Sequence, residues 1–176
     1  MTHEYVCVDC GNQFEPDLRY DCPDCGGILD VRVDHGNVDA SLFDGCVSSM
    51  LKYESLLPVE LSISLGEGGT PLTRAGALVE AVDLGIDFLL KQEGINPTNS
   101  FKDRPNAVGI SQVSEMDLEK AVISSHGNAG ASFAAYANRA GIEPLVLGPR
   151  GSDAGLPKVK PDHPATVPVD GDIRDT

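Results

Sequence analysis

The chain has 176 residues, 41% of them hydrophobic, enough for one medium domain with a small module beside it. Its 27 acidic residues against 13 basic ones give a formal charge of -14, which repels phosphate backbones and anionic lipid surfaces, so the composition argues against nucleic-acid and membrane-surface binding by the whole chain. No apolar run approaches a membrane span, and the opening Met1-Thr2-His3-Glu4 lacks the basic and apolar regions of a secretory signal, so a cytoplasmic protein is expected.

Residues 1–34 hold too few apolar side chains to build a core and need a staple. Two matched knuckles, Cys7-Val8-Asp9-Cys10 and Cys22-Pro23-Asp24-Cys25, are separated by eleven residues. The spacing lets both sulfurs of a knuckle face one ion, and four thiolates at tetrahedral angles suit zinc and leave no open position. A structural zinc ribbon with Cys7, Cys10, Cys22 and Cys25 as ligands is therefore expected, with a metal-free knuckle as the alternative. Disulfides are disfavoured in a cytoplasmic chain, and a redox Cys-x-x-Cys does not explain a second matching pair. Cys46 has no partner motif and reads as a small buried apolar residue.

Residues 35–63 read as a connector punctuated by Gly36, Gly45 and Pro58. From 64 to 176 strands and helices alternate. Strands are expected at 88–90, 121–123, 144–147 and 165–169, and helices at 104–116 and Asn128–Ala140, which argues for an α/β domain with a mainly parallel sheet. Pro105 fits a first helical turn, where its missing N–H costs nothing, and Gly141 fits a C-terminal cap. The final residues from Asp170 look like the entry to a further helix that does not follow, so the domain is expected to be incomplete. The acidic residues are dispersed rather than gathered in a tail, a pattern that favours a surface adapted to high intracellular salt.

Three strings in this region carry chemistry. Ser64-Leu65-Gly66-Glu67-Gly68-Gly69-Thr70-Pro71-Leu72 is a glycine-rich turn. Asn96-Pro97-Thr98-Asn99-Ser100-Phe101-Lys102-Asp103-Arg104 sets one lysine at the start of a helix, and Ser124-Ser125-His126-Gly127-Asn128-Ala129-Gly130-Ala131-Ser132 is a small-residue turn at the start of the next. A lysine amine is a nucleophile or imine-forming group only where its surroundings favour the free base. Taken singly, each string has an ordinary reading: an exposed basic residue, a tight turn, a helix cap.

Together and in this order, the three strings resemble the fold type II pyridoxal-phosphate enzymes, and within them the threonine synthase group, whose members share the tryptophan-synthase-beta-like architecture. The stretch Leu56-Leu57-Pro58-Val59 is similar to the same group. The resemblance runs from about residue 5 to the last residue but covers only the front part of a member's usual length. It implies that Lys102 binds pyridoxal phosphate covalently and later moves protons as the free amine, and that Asn128 donates to the cofactor's ring oxygen. It also implies that the turn Ser125-His126-Gly127-Asn128 holds the carboxylate of a small amino-acid substrate.

Three departures stand out. His126 occupies a position where the family has serine or threonine. Residues 151–164 are shorter and richer in proline than in members of the family. The family's phosphate-cradling loop and its partner for the pyridine nitrogen fall beyond residue 176, and Gly148-Pro149-Arg150-Gly151 does not replace the cradle because Pro149 lacks an N–H. The implied reaction is the conversion of O-phosphohomoserine to threonine and phosphate. Cysteate synthase and threonine dehydratase are the related enzymatic alternatives. A non-catalytic remnant, a split enzyme completed by a second chain, and a homo-oligomer are the alternatives of organisation.

Overall fold

The structure, a computed structural model, describes residues 3–43, 48–83, 85–150 and 166–172. The readings for Cys46, for residues 151–164 and for the helix entry at 173–176 lie outside the described residues. The chain divides into two compact units, one of Met1–Val47 with Leu51–Glu60 and one of Ser48–Met50 with Leu61–Thr176. No helix among the described residues is long and apolar enough to cross a membrane.

The first unit is built on a three-stranded antiparallel sheet. Its central strand β1 (His3–Cys7) pairs with β2 (Gln13–Phe14) on one side and β3 (Leu29–Val33) on the other. Each knuckle closes by the same pair of backbone bonds. The Gly11 N–H donates to the Cys7 carbonyl and the Gly26 N–H to the Cys22 carbonyl, at 3.0 and 2.8 Å. Both glycines take the left-handed conformation that this reversal requires. Val6, Cys7 and Cys22 are among the few buried apolar residues here, so the sheet has little core to rest on.

The second unit begins with β4 (Leu72–Arg74), a short helix α1 (Gly76–Val82) and β5 (Leu89–Lys91), the two strands pairing antiparallel. It continues through a 3-10 turn at Glu93–Ile95 into α2 (Asp103–Glu115), β6 (Lys120–Ser124), α3 (Asn128–Ala140), β7 (Glu143–Pro149) and β8 (Thr166–Val169). The last three strands form a parallel sheet in the order β6-β7-β8. β4 and α1 have no counterpart in the sequence reading, and the antiparallel β4–β5 pair departs from an all-parallel layout. α2, α3 and β5 to β8 fall within two residues of the expected bounds.

Each of the two long helices buries one stripe. In α2, Ala107, Ile110 and Ser111 lie inward, and Pro105 sits in the first turn as expected. In α3, Phe133, Tyr136 and Ala137 lie inward at the same spacing, and Gly141 ends the helix with a φ of 76° and an N–H bonded to the carbonyls of Ala137 and Asn138. Gly130 lets α3 approach β7, since a Cβ there would lie 2.8 Å from Val146 Cγ1. Pro144 and Pro149 are tolerated in the middle strand because β8 pairs only from Val146 onward and β6 only as far as Leu147. Each proline therefore faces an edge of the sheet on one side.

Candidate functional site

In the first unit the four expected cysteines converge. The sulfurs of Cys7, Cys10, Cys22 and Cys25 all lie within 4.8 Å of one another, with Cys7 to Cys25 at 3.5 Å and Cys10 to Cys22 at 3.6 Å. Four sulfurs at about 2.3 Å from a common ion would be separated by just such distances, so the donor set fits zinc. The Cys10 N–H points at the Cys7 sulfur from 3.5 Å, and that bond, working against burial, holds the Cys7 thiol down to about 7. Gly27 leaves room for Asp9, whose carboxylate would meet a Cβ at that position at 2.3 Å.

In the second unit the candidate residues sit at the starts of α2 and α3. Lys102 is the cap residue of α2, half-buried, with Nζ 4.6 Å from the centroid of the Phe101 ring. The next residue, Asp103, is completely buried. Its carboxylate accepts the Thr98 N–H at 2.7 Å, the Thr98 hydroxyl, and the Ser132 hydroxyl of α3 at 2.6 Å. Three hydrogen bonds to a buried carboxylate satisfy it without a cation and fix the turn that carries Lys102.

At the start of α3, Gly127 takes the cap position and makes no side-chain cap bond, and exposed Asn128 is the first helical residue. Capping falls to Ser125, whose Oγ accepts the N–H of Gly127 at 3.2 Å and of Gly130 at 2.9 Å. The Ser125 hydroxyl hydrogen remains available for a further acceptor. His126 is exposed, and a Cβ at Gly127 would meet nothing, so the outer side of this turn is open.

Two polar networks that the sequence did not reveal tie the glycine-rich turn to these helices. Arg104 grips both carboxylate oxygens of Glu93 at 2.8 Å, while the Thr70 hydroxyl and the Asn96 amide also donate to Glu93 at 2.6 and 3.0 Å. The Arg104 guanidinium, followed by Thr70 and Asn96, lowers the Glu93 carboxyl to about 2. Asn96 then accepts the Gly68 N–H at 3.0 Å. In the other network, buried Glu67 accepts from Ser64, from the Leu65 N–H, and at 2.7 Å from the Tyr136 hydroxyl of α3. Burial first, and the Glu67 carboxylate second, push the Tyr136 hydroxyl far above its ordinary range, so it remains a donor. Glu93 and Arg104 are eleven residues apart, not the three or four of neighbours on one helix, and Tyr136 lies 69 residues from Glu67. Neither pattern gave a signal.

The structure thus sets a primary amine at one helix start and a Ser-His-Gly-Asn turn at the next, within an α/β unit. Residues 63–161 match the family described as pyridoxal-phosphate dependent enzyme, and the chain belongs to that family. It is 39% identical over 153 residues to the threonine synthase of Methanosarcina acetivorans and 37% identical over 157 residues to that of Methanocaldococcus jannaschii. Each match covers 84% of this chain. A third relative, the threonine synthase of Mycobacterium leprae, is 43% identical over 105 residues, 58% of this chain. The chain spans 37% and 38% of the two archaeal relatives and 29% of the mycobacterial one. A lysine amine such as that of Lys102 is the chemical type that could hold the aldehyde end of pyridoxal phosphate.

Proposed function

We propose that this chain carries the lysine-bearing part of a threonine-synthase-like lyase, acting on O-phosphohomoserine to give threonine and phosphate in a cytoplasmic pathway of amino-acid synthesis. The observation that supports the site is the pairing of the Lys102 turn with the first turn of α3 through shared hydrogen bonds. The substrate rests on the names of the relatives, which match over most of this chain. Lys102 would hold the cofactor and serve as the base that removes and returns a proton. Asn128 would orient the cofactor ring without adding charge. Ser125, His126, Gly127 and Asn128 would face the substrate carboxylate at the helix start. Pyridoxal phosphate supplies an electron sink that makes the proton next to the amino group removable. We also assign a structural zinc ion to Cys7, Cys10, Cys22 and Cys25.

A specific observation favours further polypeptide, in the same chain or in another, as the means of completing the site. Val146 faces α3, so on the opposite face of the β6–β7–β8 sheet Val122, Leu145 and Val167 lie 59%, 38% and 41% exposed, whereas parallel sheets are normally covered on both faces. Whether that polypeptide is a continuation of this chain, a complementary one or another copy, the purified 176 residues should bind cofactor weakly and make no threonine by themselves. Pyridoxal-phosphate titration, borohydride reduction and peptide mapping should place the adduct on Lys102. Label scattered over other lysines would sink the assignment of Lys102, and threonine formation by these 176 residues alone would refute the need for further polypeptide. Ammonia released from threonine without phosphate release from phosphohomoserine would transfer the reading to a dehydratase.

A further inference from the structure

We propose that Asn106 is the positioning residue for Lys102. Together with buried Asp103 it forms a clamp that fixes the Lys102 turn against the first turn of α3. The inference rests on the assignment of Lys102 given above and adds the device that sets its place. Asn106 lies one helical turn after Lys102, and its N–H and its side-chain Nδ2 both donate to the Lys102 carbonyl, at 3.2 and 3.0 Å. A side-chain bond back to the carbonyl four residues earlier is ordinary for a polar residue in a helix. What sets Asn106 apart is that Nδ2 also reaches the Ala129 carbonyl of α3 at 3.3 Å, beside Asn128. One amide group thus joins the peptide of the candidate nucleophile to the turn that would face the substrate.

Asp103 makes the same connection from the buried side, joining Thr98, before the lysine, to Ser132 of α3. The two ties lie on adjacent turns of α2 and meet adjacent turns of α3, so together they resist both sliding and rotation of one helix start past the other. Reaction geometry is sensitive on this scale: a displacement of about 1 Å can cost on the order of 100-fold. A side-chain amide supplies N–H donors to both carbonyls from this position, whereas an ionised carboxylate of the same shape would set an acceptor against two acceptors.

The test compares the full 176-residue chain with its Asn106→Asp and Asn106→Ala variants. Pyridoxal phosphate is titrated, the adducts are trapped with borohydride, and Lys102 is compared with Lys120, an exposed lysine paired with Glu143. Both variants should need at least tenfold more pyridoxal phosphate to label Lys102, with Lys120 unchanged. Hydrogen exchange should rise together in residues 98–106 and 127–132. Labelling of Lys102 within twofold of the parent would overturn the proposal, including the case in which a variant loses thermal stability, since that outcome marks a merely structural side chain. If the parent chain takes no label on Lys102, the assigned function of this chain fails and exchange alone decides the clamp. Acceleration in both segments sustains it, and acceleration confined to α2 overturns it. Where the Asp variant does not fold, the Ala variant, which adds no charge, carries the comparison.

Discussion

Glu93 is the residue whose charge most plainly holds the second unit together. It accepts from Arg104, Thr70 and Asn96, and through Asn96 it reaches the glycine-rich turn. Its side chain is 26% exposed, so solvent screens the ion pair only in part. The folded carboxyl is lowered to about 2 from an ordinary value of 4.5. A lowered acid stabilises the fold above its unfolded value and loses that contribution as pH falls through its folded value. The contribution is therefore full at neutral pH and disappears between about 4.5 and 2. It is on the order of 3 kcal/mol at most, with partial exposure reducing it. Urea unfolding of the second unit at pH 7 and pH 3 should show a larger acid loss for the parent than for Glu93→Gln. Equal losses in the two proteins would remove Glu93 from this role.

At the scale of elements, the two units depend on different glue. In the second, Phe133, Tyr136 and Ile110 bury apolar surface between α2, α3 and the sheet. The first offers its three-stranded sheet little beyond Val6 and the knuckle cysteines, so the assigned zinc ion takes the place of a core. One zinc per chain is expected. Chelation, or Cys25→Ser, should abolish amide-exchange protection in β1 and β3 while leaving α2 and α3 protected, and protection in β1 and β3 that survives metal removal would count against structural zinc. The same contrast explains what could be read in advance. The knuckles and α3 were legible because their signals are local: paired cysteines at fixed spacing, and Phe133, Tyr136 and Ala137 at helical spacing before Gly141. β4 and α1 were not, since a three-residue strand gains its identity only from pairing with Leu89–Lys91. Asn106 gave no signal, because its partner on α3 is a backbone carbonyl, which leaves no trace in the sequence.

For the whole molecule, the governing fact is the charge of -14. With 27 acidic and 13 basic residues, most carboxylates have no cation to pair with, and the ion pairs Arg74–Asp87, Lys120–Glu143 and Arg150–Asp170 lie at exposed positions where such pairs contribute little. Salt acts on both terms: it weakens these pairs and it screens the repulsion among the remaining carboxylates, and the excess of acid makes the second effect the larger. Stability should therefore rise as salt is added at neutral pH. Ordinary screening is largely complete once the Debye length has fallen from about 10 Å at 0.1 M to about 3 Å at 1 M. A midpoint of thermal unfolding that levels off before 1 M potassium chloride would mean simple relief of repulsion. One that continues to climb through 2 and 3 M would mark a surface adapted to concentrated salt, and a midpoint that falls from the first addition would show that the ion pairs outweigh the unpaired acids.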